Sequence, residues 1–228
     1  MSVAYSECPA ALARCRRLGL GGWAYQVAGR GGVLGEVSAQ TAAAALGFLA
    51  VDAVADGWEA ARAASTPAEV AAMSLAECCR WGVERLGDYP DVARLTELAD
   101  QVVDSADATG LPLFAAWRAT PCPDDSAGAR AAAVVRLLVE HRVGVHLLAV
   151  RVAGLTPLEA ILTGPDGPDG AIAAGWAPPW PPTGSLIRRR VWAEQMTNRL
   201  AGQAFTVLTA AQRKELVTLL DGAADHVR

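Results

Sequence analysis

Lysine is almost absent from this chain: Lys214 stands alone against nineteen arginines. The basic residues are outnumbered by 24 acidic ones, for a formal net charge of −4. Nucleic acid and anionic membranes both need broad basic surface, so neither is expected as a partner. The five cysteines, Cys8, Cys15, Cys78, Cys79 and Cys122, form no CxxC pair and no zinc-ligand spacing. Cys8 and Cys15, two helical turns apart, would sit about 10 Å from each other, too far for a disulfide. Small hydrophobes in a reducing compartment are the expected role, with Cys122, between two prolines, the more exposed thiol. No signal-peptide core precedes a cleavage site in MSVAYSECPAALARCRR, which makes the cytoplasm the expected location. The longest uncharged run, 170–187, contains four prolines and cannot form a spanning helix. Alternating β-branched runs and Asn-Gly or Asp-Gly hairpins are also missing.

What is present reads as helix. The chain has 228 residues, 52% of them hydrophobic, enough to bury a core and too apolar for disorder. Alanine, the best helix former, dominates. Amphipathic or capped stretches are expected at 7–18, 38–63, 66–86, 90–110, 130–153, 185–203 and 210–220, with a short helix after Thr156. Thr66, Thr156 and Thr209 each open an N-terminal capping pattern with an acid or amide three residues on. The fold class expected is all-α, a multi-helix bundle forming one domain over 1–228. The prolines of 164–184 speak against regular helix there, leaving a long loop that Trp176 and Trp180 would pack onto the body.

The most informative segment is 130–153. Its aliphatic residues point in all directions around the axis, which marks a buried helix. Yet its centre carries Glu140, His141 and Arg142, with His146 just beyond. Buried charges cost several kcal/mol each unless paired. Arg142 and His146, about 40° apart, share a face, whereas His141 and His146 diverge by about 140°. They cannot meet on one metal from this helix alone, and the HExxH pattern is absent. Two readings stand: a structural network in which Glu140 pairs with Arg136 or Arg151, or an internal pocket lined by Arg142 and His146.

The glycine-rich turn 29–32 holds Arg30, which could point inward as a bidentate anion clamp. It lacks the GK[ST] of a phosphate-binding loop. Tyr25, Trp58, Trp81, Trp117 and Trp192 read as core residues. Trp23 reads the same way and is also the aromatic placed at the substrate. The Arg188-Arg189-Arg190 run reads as a solvated face.

Four stretches, Arg30-Gly-Gly-Val-Leu-Gly35, Gly110-Leu-Pro-Leu-Phe-Ala-Ala116, Glu140-His-Arg-Val-Gly-Val-His146 and Gly175-Trp176, resemble the SalK-like actinobacterial helical family, often labelled helix-turn-helix. The likeness runs through residues 20–220 in order. Val33 replaces the proline that usually precedes this Leu-Gly, and APPWPPTG runs straight into the helix at 185, leaving too few residues for a recognition helix plus wing. The resemblance implies a small-molecule role in specialised metabolism. On that basis the chain is expected to be a biosynthetic enzyme, a lyase, isomerase or cyclase working on a carbonyl- or carboxylate-bearing substrate. His146 would transfer the proton, Glu140 would orient His141, and Arg142 and Arg30 would hold the substrate oxygen. No cofactor is specified. The alternatives are a ligand-binding regulator, since 205–220 resembles the closing helices of dimeric MarR-type regulators, and a haem or metal protein using His141 or His146. A homodimer is compatible with either.

Overall fold

The computed structural model describes residues 8–228, and every regular element among them is helical. The helices are α1 (Pro9–Arg17), α2 (Gly22–Gly31), α3 (Ala39–Leu46), α4 (Val51–Arg62), α5 (Pro67–Leu86), α6 (Val92–Ser105), α7 (Pro112–Arg118), α8 (Ala127–Val152), α9 (Pro157–Leu162), α10 (Gly167–Ala173), α11 (Ile187–Gly202) and α12 (Ala210–His226). All three threonine capping boxes form: the side chains of Thr66, Thr156 and Thr209 accept from the backbone three residues on, and Glu69, Glu159 and Gln212 reach back. Ser38 and Ser126 cap α3 and α8 through their hydroxyls. Glu7, where the first stretch was expected to begin, lies outside the described residues.

The central helix α8 packs against α5, α6, α7 and α11. On one side lies a cluster built from α6, α12 and the 201–208 segment, with Leu95, Leu98, Phe114 and Leu216 essentially inaccessible. On the other, α2 to α5 enclose Tyr25, Trp58, Val54 and Val70. The α5–α8 crossing brings backbone against backbone. A β-carbon on Gly82 would run into the Gly128 carbonyl, and one on Gly128 into the Gly82 carbonyl. Only glycine allows this approach.

Several sequence expectations change in detail. The alanine-rich stretch 38–63 is two helices, because Gly47 takes φ +71° and turns the chain. The glycine-rich turn at Arg30 is instead the last turn of α2 followed by a 3-10 turn, Gly32–Leu34. Its glycines serve close packing rather than positive φ: a β-carbon at Gly32 would overlap the Pro67 carbonyl. The span 164–184 contains α10, since Pro168 falls in the first turn, where its missing N–H removes no helical bond. Helix α7, starting at Pro112, is a seven-residue helix with no strong periodic pattern in the sequence to mark it.

The stretch just after α10 is pinned to the body, whereas residues 177–179 are exposed and Trp180 is half-buried. Trp176 Nε1 donates to the Phe48 carbonyl (2.9 Å), and Ala50 N donates to the Ala174 carbonyl (2.9 Å). Trp192 is 40% exposed rather than core, while Trp58 and Trp117 are buried as expected. All five cysteines are free. Cys8 is the residue before α1 rather than part of it, and Cys122 Sγ lies 3.5 Å from Cys79 Sγ.

Candidate functional site

A cavity of about 500 Å³ opens between the end of α2, α3, the start of α7 and one face of α8. The α8 contribution is Glu140, Val143, Gly144, Leu147, Leu148 and Arg151. That spacing of three and four is a single stripe of a helix. It begins with an acid, continues through aliphatic residues and ends with a base roughly 16 Å further along the axis. Leu34, Val37, Leu46, Leu111 and Phe114 complete a mostly apolar wall. The apolar all-round character of α8 is therefore not total burial, since part of its aliphatic surface lines open space.

Arg30 reaches this cavity from the last turn of α2 and forms a bidentate pair with Glu140, Nε to Oε1 at 2.7 Å and Nη2 to Oε2 at 2.9 Å. The Glu140 side chain is 8% exposed and that of Arg30 27%. Two parallel charge-assisted bonds fix both side chains. Trp117 Nε1 donates to the Arg30 carbonyl (3.1 Å), which anchors this end of α2 on α7. Arg151 is exposed at the rim and has no ion pair among the described residues.

Neither of the expected partners, Arg136 or Arg151, pairs with Glu140. Arg136 is itself buried: Nη2 donates to the Gly29 carbonyl (3.2 Å), and its guanidinium lies 3.6 Å above the Trp117 ring. It ties α8 to α2 and α7 and does not line the cavity. Trp23 also lies elsewhere, donating from Nε1 to the Ala53 carbonyl at 2.6 Å.

The two α8 histidines face different surroundings. His141 is buried against Phe114, ring centroids 5.0 Å apart. Burial and then the nearby Arg118 guanidinium push its pKa down, against an opposing pull from Asp107. His146 stacks on Phe48 (5.4 Å, 18°) and shares hydrogen between Nδ1 and Thr197 Oγ1 (2.8 Å). Burial lowers its pKa as well, with Glu194 opposing and Arg190 and Arg142 reinforcing the shift. His146 lines a second cavity, of about 230 Å³, with Arg190 and Asp166. Arg142 bonds Asn198 Oδ1 (3.1 Å) and Glu194 Oε2 (3.2 Å) on the exposed side of α11. The shared face of Arg142 and His146 expected from the helix geometry thus converges on Glu194.

The expected six-residue group is therefore divided. Arg30 and Glu140 meet at the larger cavity, His146 and Arg142 meet around Glu194, and His141 and Trp23 stand apart. Glu194, Thr197 and Phe48 are missed by sequence reasoning, while Arg151 enters it as a partner for Glu140 and Arg190 as part of a solvated face, neither as a cavity residue. Arg151 alone carried a signal, its place on the Glu140 stripe. Among the described residues no group of three or more His, Cys, Asp or Glu side chains is arranged to hold a metal ion. No helix there is long and apolar enough to cross a membrane.

The lowered histidine pKa values make a pH prediction. Both groups take up protons more readily in the unfolded chain, where the ordinary value is 6.5. Their contribution is intact above that value and is lost as pH falls through 6.5 and then the folded values. Urea unfolding is expected to show lower stability at acid than at neutral pH, with the slope reduced in a His141→Gln, His146→Gln double variant. A slope unchanged by the substitutions would contradict the assignment.

Comparison with family models matches residues 1–180 to a helix-turn-helix family. No curated protein and no solved structure matches the chain.

Proposed function

The chain belongs to that helix-turn-helix family, and we propose that it works by binding a small, mostly apolar molecule in the cavity between α2, α3, α7 and α8. The observation that carries this reading is the α8 stripe. An aliphatic face runs from the Arg30–Glu140 pair to Arg151 and lines about 500 Å³ of open space. Cavities of that size hold drug-sized ligands, with few polar groups setting orientation. Arg151 suits a carboxylate or carbonyl oxygen at the mouth, and the Arg30–Glu140 pair supplies a polar contact at the other end. Acid–base chemistry on such a ligand would fall to Glu140, because neither α8 histidine lines this cavity. An enzyme of specialised metabolism remains the finer form of this proposal.

The experiment is a fluorescence titration with anilinonaphthalene sulfonate, an amphipathic acid, competed by decanoate. One saturable site is expected, weakened at least about tenfold by Ala45→Trp, which fills the cavity from α3. Binding unaffected by Ala45→Trp would count against the proposal.

Family membership favours a second reading, a DNA-binding regulator. The described residues include no strand from which a wing could be built, and the net charge is −4. The most basic run, Arg188 to Arg190, is partly engaged: Arg189 donates to the Gly154 carbonyl, and Arg190 bonds the Ala160 carbonyl and Glu194. Duplex DNA is therefore expected to bind no tighter than about micromolar at physiological salt. An anisotropy titration showing tighter, strongly salt-dependent binding would move the assignment to the regulator.

A further inference from the structure

The smaller cavity contains an acceptor and a donor whose states follow from hydrogen counting. Thr197 Oγ1 has one hydrogen, and it goes to the Ala193 carbonyl at 2.7 Å. The same oxygen lies 2.8 Å from His146 Nδ1, so it must accept there, and Nδ1 carries the proton. With the ring held neutral by burial, Nε2 is left as a lone pair. No hydrogen bond to Nε2 forms among the described residues. The nearest carboxylate oxygen, Glu194 Oε1 at 3.8 Å, is already bonded to Arg190.

Arg190 is the complementary donor. Its Nε donates to the Ala160 carbonyl (3.2 Å) and its Nη1 to Glu194, while Nη2 has no partner among the described residues and lies beside Gly164. Both side chains are mostly shielded, at 17% exposure for His146 and 15% for Arg190. The charged residues that line the cavity, Arg190 and Asp166, balance, and Glu194 outside it is matched by Arg142. An ionic ligand would bring in an uncompensated charge. Phe48, Val143 and Ile161 give the rest of the cavity an apolar wall. Its 230 Å³ is below the range of drug-sized pockets.

We propose that this cavity is a second binding site, separate from the larger one, for a small neutral hydroxycarbonyl compound whose hydroxyl donates to His146 Nε2 and whose carbonyl accepts from Arg190 Nη2. The site reads two atoms of one short ligand, and its charge balance selects against the acid form. Thr197 is the positioning residue, since it fixes which ring nitrogen is the acceptor.

The test is long-range proton–nitrogen NMR on histidine-labelled protein at neutral pH, with glycolamide as the neutral probe and glycolate as its anionic counterpart. Before ligand, His146 is expected to show a protonated Nδ1 and an unprotonated Nε2. Glycolamide should shift the Nε2 resonance saturably, with a Kd on the order of millimolar as befits so few atoms. Glycolate should bind at least about tenfold more weakly. Arg190→Gln should weaken glycolamide by a similar factor with the His146 tautomer unchanged, and Thr197→Val should lose the single tautomer. Decanoate at saturation should leave the glycolamide Kd unaltered. The proposal is overturned by a protonated Nε2, by equal response to glycolate, by absence of a saturable shift, or by competition from decanoate.

Discussion

Replacing Arg30 by Met is expected to destabilise the protein by about 3 kcal/mol and to abolish ligand binding in the larger cavity. Removing one member of a buried ion pair typically costs about 3–5 kcal/mol, because the charge left behind has neither water nor partner. Glu140 would be that charge, at 8% side-chain exposure. The partial exposure of Arg30 admits water to the gap and places the cost at the lower end of the range. The double variant Arg30→Met, Glu140→Leu separates structure from function. Exchanging a buried pair for apolar side chains is often close to neutral, so most of the lost stability should return. Binding of 10-hydroxydecanoate, which carries a polar group at each end, should not return, since its hydroxyl has lost the polar end of the cavity opposite Arg151. Urea unfolding and fluorescence titration of the two variants and the parent check both halves. A double variant that is stable and binds as well as the parent would reduce the pair to a structural device.

Gly82→Val is expected to cost more than about 3 kcal/mol and to compromise folding altogether. Its side chain has nowhere to go: the first atom added already overlaps the Gly128 carbonyl and crowds Ala132. Backbone cannot yield as the end of a flexible side chain can, so α5 and α8 would have to separate. Overpacking in dense cores costs about 1–3 kcal/mol even where neighbours can adjust. The control is Gly202→Ala at the end of α11, where an added β-carbon meets nothing within 4 Å. That change should be neutral or slightly stabilising, since alanine favours helix over glycine. Thermal unfolding of the two variants gives the comparison. Similar melting temperatures would show that the α5–α8 crossing is looser than its geometry implies.

How much of this was legible in the sequence depends on range. Local signals carried through: each Thr-x-x-Glu or Thr-x-x-Gln box became a helix start, because capping is decided within four residues. The break at Gly47 could not be seen, since a lone glycine between Leu46 and Phe48 does not announce a positive φ. The glycines around Arg30 read as a turn for the related reason that close packing and turning demand the same residue. At the site, the angular relation of Arg142 to His146 was available from helix geometry alone, and they do meet at one carboxylate. The partner of Glu140 was not, because Arg30 lies 110 residues away in sequence. Only the packing of α2 against α5 and α7 brings it there. The tautomer of His146 is further removed still, resting on a threonine of α11 that has no sequence signature.

The central claim is that open space along the α8 stripe is a ligand site. Methyl NMR of the full chain titrated with decanoate tests it most directly. The account predicts saturable shifts at Leu34, Val37, Val143, Leu147 and Leu148, with Leu208 and Leu216 in the opposite cluster unmoved. Shifts confined instead to the exposed apolar residues of α11, Ile187 and Val191, or no saturable shift at all, would contradict it.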